Sequence, residues 1–173
     1  MTSEDRGAEG GGFVPLTEAE LRAWGAALGT AAQADSVFVA LYGELGAGKS
    51  TLVRAACRSL GVAGHVPSPT FTLLNLHEGE EGSIHHVDLY RLEPPVDTRA
   101  LIDAGWPEVL EATGPVFVEW ADRAGDWLPP DRWDVQLRHV ADPRIREVSI
   151  EPRGAAPPAP PPPRVHATKR VQS

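Results

Sequence analysis

Between residues 36 and 60 the chain passes from an almost unbroken apolar stretch, through a glycine-rich octapeptide, into apolar residues spaced three and four apart. No other segment limits the possible folds so tightly. Ser36-Val37-Phe38-Val39-Ala40-Leu41-Tyr42 has the length and apolarity of a strand buried on both faces, as in a sheet covered by helices on either side. Leu52, Val53, Ala56, Cys57 and Leu60 fall on one face of a helix that starts at Lys49 and is closed by Gly61. The octapeptide between them, Gly43-Glu44-Leu45-Gly46-Ala47-Gly48-Lys49-Ser50, matches G-x-x-x-x-G-K-[ST] in the strand-to-helix setting that gives the pattern its meaning. Lys49 is one of only two lysines in the chain, which argues against a chance match. Glycines let such a loop turn its N–H groups inward, where an anion also meets the positive end of the helix dipole. Lys49 adds a point charge near the β and γ phosphates, and the Ser50 hydroxyl suits Mg²⁺. The expectation is a nucleoside triphosphate site on residues 43–51, Thr51 included.

Around this unit the sequence describes a single domain. Of 173 residues, 42% are hydrophobic and 23% charged, values typical of globular chains. No apolar run approaches the roughly 18 residues of a membrane span, and residues 1–12 lack the basic-then-apolar order of a signal peptide. A soluble, cytoplasmic protein is expected. One cysteine, Cys57, excludes an internal disulfide framework; it falls on the apolar face of the helix after the octapeptide and is expected in the core. Residues 1–12 read as a disordered lead-in, and the proline run 157–163 as extended polyproline II in a solvated spacer with a basic end. The domain is therefore expected over 13–151, with a Pro-rich basic tail, 152–173, outside the fold. That tail holds four basic and no acidic residues, which leaves 12 basic against 24 acidic side chains in the remainder. A body so acidic repels polyanions, so contact with a nucleic acid would have to run through a partner.

The other elements follow from local signals. Thr17 and Glu20 form a capping box, with Leu16 and Leu21 as a staple across it, ahead of a helix with Leu21, Trp24 and Leu28 on one face. Residues 71–76 and 84–89 read as strands joined by the polar loop 77–83. Residues 97–111 read as helix broken near Gly105 and Pro107, and 115–118 as a short buried strand. Residues 133–137 and 147–150 read as a hairpin across Asp142-Pro143. Together these predict an α/β fold of the P-loop NTPase type, with a mixed sheet flanked by helices.

The octapeptide names a ligand and leaves the reaction open. Guanine recognition by Asn-Lys-x-Asp is excluded, because the sole asparagine, Asn75, precedes Leu76. No Leu-Ser-Gly-Gly run of a transporter ATPase occurs either. A small-molecule kinase fits the length, and Arg123, Arg132, Arg144 and Arg146 are its candidate lid arginines.

Three further segments, Ser68-Pro69-Thr70-Phe71-Thr72-Leu73-Leu74, His86-Val87-Asp88-Leu89-Tyr90-Arg91-Leu92 and Val118-Glu119-Trp120-Ala121-Asp122-Arg123, follow the octapeptide in that order. Together with it they resemble the TsaE family, formerly YjeE, over about residues 14–150. Valine stands before Asp88 where phenylalanine is usual, and Ala121-Asp122 where proline and glutamate are common. The resemblance implies a weakly hydrolysing ATPase of the bacterial tRNA threonylcarbamoyladenosine machinery, binding ATP or ADP with Mg²⁺ and assisting the TsaB and TsaD proteins. The kinase, and a nucleotide-sensing switch without useful hydrolysis, stand as the alternatives.

Asp88 and Glu119 each follow a buried strand, where an acid can face the metal or orient the attacking water; with Lys49 they are the catalytic candidates, and with Ser50 the metal candidates. The family pattern adds Thr70 and Thr72 on a γ-phosphate-sensing segment, Trp120 beside Glu119 as a site residue, and Thr17 and Arg144 near the adenine; the sequence alone reads Trp120 equally as a core tryptophan at a sheet edge. His85 and His86, as strand neighbours, point to opposite faces and cannot easily share one ion, so His77, His85 and His86 read as ordinary strand histidines.

Overall fold

Thr17 Oγ1 accepts the Glu20 amide at 3.3 Å and Glu20 Oε2 accepts the Thr17 amide at 2.7 Å, so helix α1 (Glu18–Asp35) begins at the cap that the sequence carries. Leu16 and Leu21 are both buried across it. The computed structural model describes residues 12–94 and 96–164. Strands β1 (Val14–Thr17), β2 (Phe38–Tyr42), β3 (Leu74–Gly79), β4 (Gly82–Asp88), β5 (Val116–Glu119), β6 (Arg132–His139) and β7 (Ile145–Arg153) form one sheet in the order β1-β7-β6-β2-β5-β4-β3. The four central strands, β6, β2, β5 and β4, run parallel; β7, β1 and β3 pair antiparallel with their neighbours. This is the expected mixed sheet.

Two helical layers cover it. On one face α1 and α2 (Lys49–Ser59) pack Trp24, Leu28, Leu52 and Val53 against Val39, Leu41, Phe117 and Trp133. On the other, α3 (Thr98–Asp103) and α4 (Trp106–Leu110) bring Leu101, Trp106 and Val109 onto Ala40, Val87 and Val118. The break between those short helices falls at Gly105, whose φ of +83° favours a residue without a Cβ. Every position of β2 is apolar because both of its faces are covered.

Three expectations need correction. The strand placed at 71–76 starts only at Leu74, since Leu73 turns through a φ of +65° and Phe71 is 84% exposed. The loop placed at 77–83 is mostly strand: His77, Glu78 and Gly79 pair with Ile84, Ser83 and Gly82 in a tight hairpin. The tail is the largest change. Strand β7 continues to Arg153, and the segment beyond it lies against the domain, with Pro157 and Pro160 carbonyls accepting the indole N–H groups of Trp133 (2.7 Å) and Trp24 (3.0 Å). Ala156 and Ala159 pack on the first core. Proline lacks an N–H but keeps its carbonyl, so a polyproline segment can cross a buried surface if donors meet it. The expected lead-in up to residue 11, and the basic end from residue 165, lie outside the described residues.

Candidate functional site

Parallel pairing of β4 with β5 sets Asp88 directly beside Glu119, and pairing of β5 with β2 sets Glu119 beside Leu41, just before the glycine loop. The three strands thus deliver two acids and the glycine loop to one end of the sheet, where α2 begins. A Cβ at Gly43 would strike the Leu137 carbonyl, and Gly48 adopts a φ of +106° as the cap of α2. The loop is therefore glycine-dependent by packing as well as by conformation.

Leu45, Gly46, Gly48, Lys49, Ser50, Thr51, Thr70, Asp88, Glu119 and Trp120, all expected at the site, line a single cavity of about 350 Å³. Gly43 and Glu44 contribute from below through their carbonyls, to which Lys49 Nζ donates, at 2.9 Å for Glu44. Ala47 is wholly buried and anchors the loop. Lys49 is only 4% exposed, and burial holds its ammonium below the ordinary lysine range, an effect that Glu119, Asp88, Asp122 and Glu44 oppose.

The acids are held by hydroxyls, a backbone amide and an imidazole. Asp88 Oδ2 accepts from Thr70 (2.8 Å) and Ser68 (3.1 Å), and Oδ1 accepts the Tyr90 amide (2.9 Å). Glu119 Oε2 accepts from Ser50 Oγ at 2.8 Å, and Oε1 lies 2.8 Å from His86 Nε2. Trp120 takes a left-handed conformation, φ +57°, costly for so large a side chain. That turn places its ring 4.1 Å from Lys49 Nζ and 5.0 Å from the Tyr90 ring. It lines the cavity and also packs against the second core.

A second cavity of about 100 Å³ continues the first across Gly46, Gly48 and Thr51 and is bounded by Glu18, Leu21, Pro143, Arg144 and Arg146. Arg144 lines this second cavity, its guanidinium paired with Asp142 at 2.8 Å. Thr17 is not among the lining residues; its hydroxyl is engaged with Glu20. Of the other lid candidates, Arg146 lines this groove, Arg132 is bound to Asp134 at 2.7 Å, and Arg123 donates to the Leu92 carbonyl. Thr72 donates to Asn75 and takes no part in the cavity.

The sequence reading missed Arg54, Ser68, Tyr90 and His86. Ser68, Tyr90 and His86 lie inside the quoted motifs without a role being read for them, and the contact of His86 depends on strand register. Among the described residues no three His, Cys, Asp or Glu side chains cluster as metal ligands, and no helix is long and apolar enough to cross a membrane.

The family described as "Threonylcarbamoyl adenosine biosynthesis protein TsaE" matches residues 16–148. The tRNA threonylcarbamoyladenosine biosynthesis protein TsaE of Treponema pallidum is 35% identical over 127 residues, covering 73% of this chain and 90% of its own length. The protein of the same name from a Nostoc species is 38% identical over 128 residues, with 74% and 77% covered. A crystal structure of Bacillus subtilis YdiB shares the fold, with a TM-score of 0.59 at 23% identity, over 83% of this chain and 88% of that one. With the glycine loop, the paired strand-end acids and the match over most of its length, the chain belongs to the TsaE family.

Proposed function

We propose that this protein binds Mg²⁺ and ATP in the groove over the glycine loop, hydrolyses the nucleotide slowly, and so supports threonylcarbamoyl transfer to adenosine 37 of tRNA by TsaB and TsaD. One observation carries the reading: Lys49, Ser50, Asp88 and Glu119, from three separate segments, line the same cavity beside a helix N-terminus. The donor set fits Mg²⁺. One hydroxyl and two carboxylates are hard oxygen ligands too few for an all-protein cage, and Mg²⁺ completes its octahedron with water and phosphate oxygens. When bound, the ion would neutralise charge on the transferring phosphoryl group.

The remaining work falls to the chain. The loop amides and Lys49 orient the phosphates, and Glu119 orients the attacking water. Thr70, bonded to Asp88, is placed to sense the γ phosphate. Leu21, Arg144 and Arg146 offer the second cavity to the adenine end. The acidic body leaves tRNA contact to the partners, whose docking would complete the site.

Phosphate release, measured alone and with TsaB and TsaD, tests this against the kinase. Slow release of free phosphate that accelerates with the partners supports the proposal. Label transferred from ATP to a small molecule, at a rate the partners do not change, would overturn it in favour of a kinase. By linkage, ATP should strengthen partner association by the factor by which partners strengthen ATP binding.

A further inference from the structure

We infer that His86 is the positioning residue for Glu119, fixing the carboxylate so that it meets water and metal in one orientation; the inference rests on the role proposed above for Glu119. His86 is fully buried, and its Nε2 lies 2.8 Å from Glu119 Oε1. A carboxylate oxygen accepts, so Nε2 carries the hydrogen, while Nδ1 is buried with no partner among the described residues. That is an expensive way to fill a core position. Ile84, two residues earlier on the same face of β4, packs in the first core at no such cost, and an aliphatic residue at 86 would sit beside Phe117 equally well. The burial of an imidazole is offset only through Glu119.

The geometry explains why Glu119 needs a second anchor. Ser50 Oγ holds Oε2, but in the proposed cycle that hydroxyl turns to the metal. Asp88, by contrast, keeps the Tyr90 amide whatever Ser68 and Thr70 do. His86 is the contact of Glu119 that the metal does not compete for, and its ring is fully buried with the His77 ring 5.9 Å away. Parallel pairing sets His86 opposite Phe117, two residues short of Glu119, and the imidazole spans that diagonal.

The test uses the full chain with TsaB and TsaD, measuring ATP affinity by calorimetry and turnover by phosphate release. His86→Phe keeps the ring and removes the donor. It should bind ATP within about threefold of the wild type and lose about 10- to 100-fold in kcat, the range expected when a residue behind a ligand is removed. His86→Gln, which restores an N–H at comparable reach, should recover most of the turnover. The double variant His86→Phe/Glu119→Gln should be no slower than Glu119→Gln alone, since both changes remove one function. If His86→Phe does not fold, His86→Gln against the shorter His86→Asn decides the matter, with Gln active and Asn impaired. Wild-type turnover in His86→Phe, parallel losses of affinity and kcat, additive losses in the double variant, or equal turnover in Gln and Asn would each overturn the inference. Where Glu119→Gln is slow in the same assay, the role of Glu119 survives that failure. Wild-type turnover in Glu119→Gln would remove that role and this inference with it.

Discussion

Asp134 and Glu119 are acids buried in the same sheet, and they are treated oppositely. In the half of the sheet that includes the antiparallel strands β7 and β1, Asp134 on β6 is fully matched: Arg132 lies at 2.7 Å, Arg153 at 2.8 Å, and the Tyr42 hydroxyl donates at 3.1 Å. In the parallel half, Glu119 and Asp88 meet hydroxyls, an amide and an imidazole, while Lys49 gives its hydrogens to loop carbonyls. A buried acid answered by two guanidiniums has finished its electrostatic work within the chain. Acids and an ammonium that share a cavity without pairing retain charge for a ligand of mixed sign, which is what a metal-bound polyphosphate is.

If the two halves differ in this way, ligand affinity and fold stability should separate by mutation. The largest effect is expected from Lys49→Ala. It should weaken ATP binding by at least about a hundredfold, roughly 2.7 kcal/mol, while the melting temperature holds, because the lysine lines the cavity and is not part of the hydrophobic core. Unchanged affinity by calorimetry would remove the phosphate-loop assignment. Next come Asp88→Asn and Glu119→Gln, expected to hold ATP within about tenfold yet lose hydrolysis by about one to three orders of magnitude, a loss confined to the transition state. Wild-type turnover in both would reduce them to strand-end acids.

Asp134→Ala probes the matched half. Breaking a buried pair costs about 3–5 kcal/mol; with Arg153 side chain 45% exposed, about 2 kcal/mol is the better expectation, read by denaturant unfolding with ATP affinity unaltered. A comparable loss of nucleotide binding would erase the distinction between the halves. A chain ending at Gly154 removes the strap and both indole acceptors and should lose about 2 kcal/mol, again with ATP affinity intact. Wild-type stability of that chain would mean that the strap adds nothing to the fold.

At neutral pH the smallest effect concerns Cys57, in the helix that carries the loop, because its contribution changes only in alkali. Burial pushes its thiol up to about 12. Above the ordinary thiol range, near 9, the unfolded chain releases this proton and the folded chain keeps it, so stability should be level below pH 9 and fall by up to about 1.4 kcal/mol per unit as pH rises toward 12. Tyr42, also pushed up to about 12 by burial, adds to the same alkaline slope. Cys57→Ala should flatten the cysteine share, and an unchanged slope in that variant would show that the thiol titrates freely.

The site was legible wherever chemistry is contiguous in sequence. The octapeptide, the capping box at Thr17 and Glu20, and the acids at the ends of β4 and β5 each carry their meaning within a few residues, because turns, caps and strand exits are local. The α/β class followed from the apolar run of β2, since only a strand covered on both faces tolerates it. Register and long-range pairing were not legible. Nothing in His86 announces Glu119, 33 residues away, until β4 and β5 align, and Trp120 could not be told from a core tryptophan before its φ of +57° turned it over Lys49. The proline tail misled for a related reason. Composition states correctly that prolines donate no hydrogen bonds, but whether their carbonyls meet water or the indoles of Trp24 and Trp133 is decided by residues 24 to 136 positions away, and only the folded sheet brings them together.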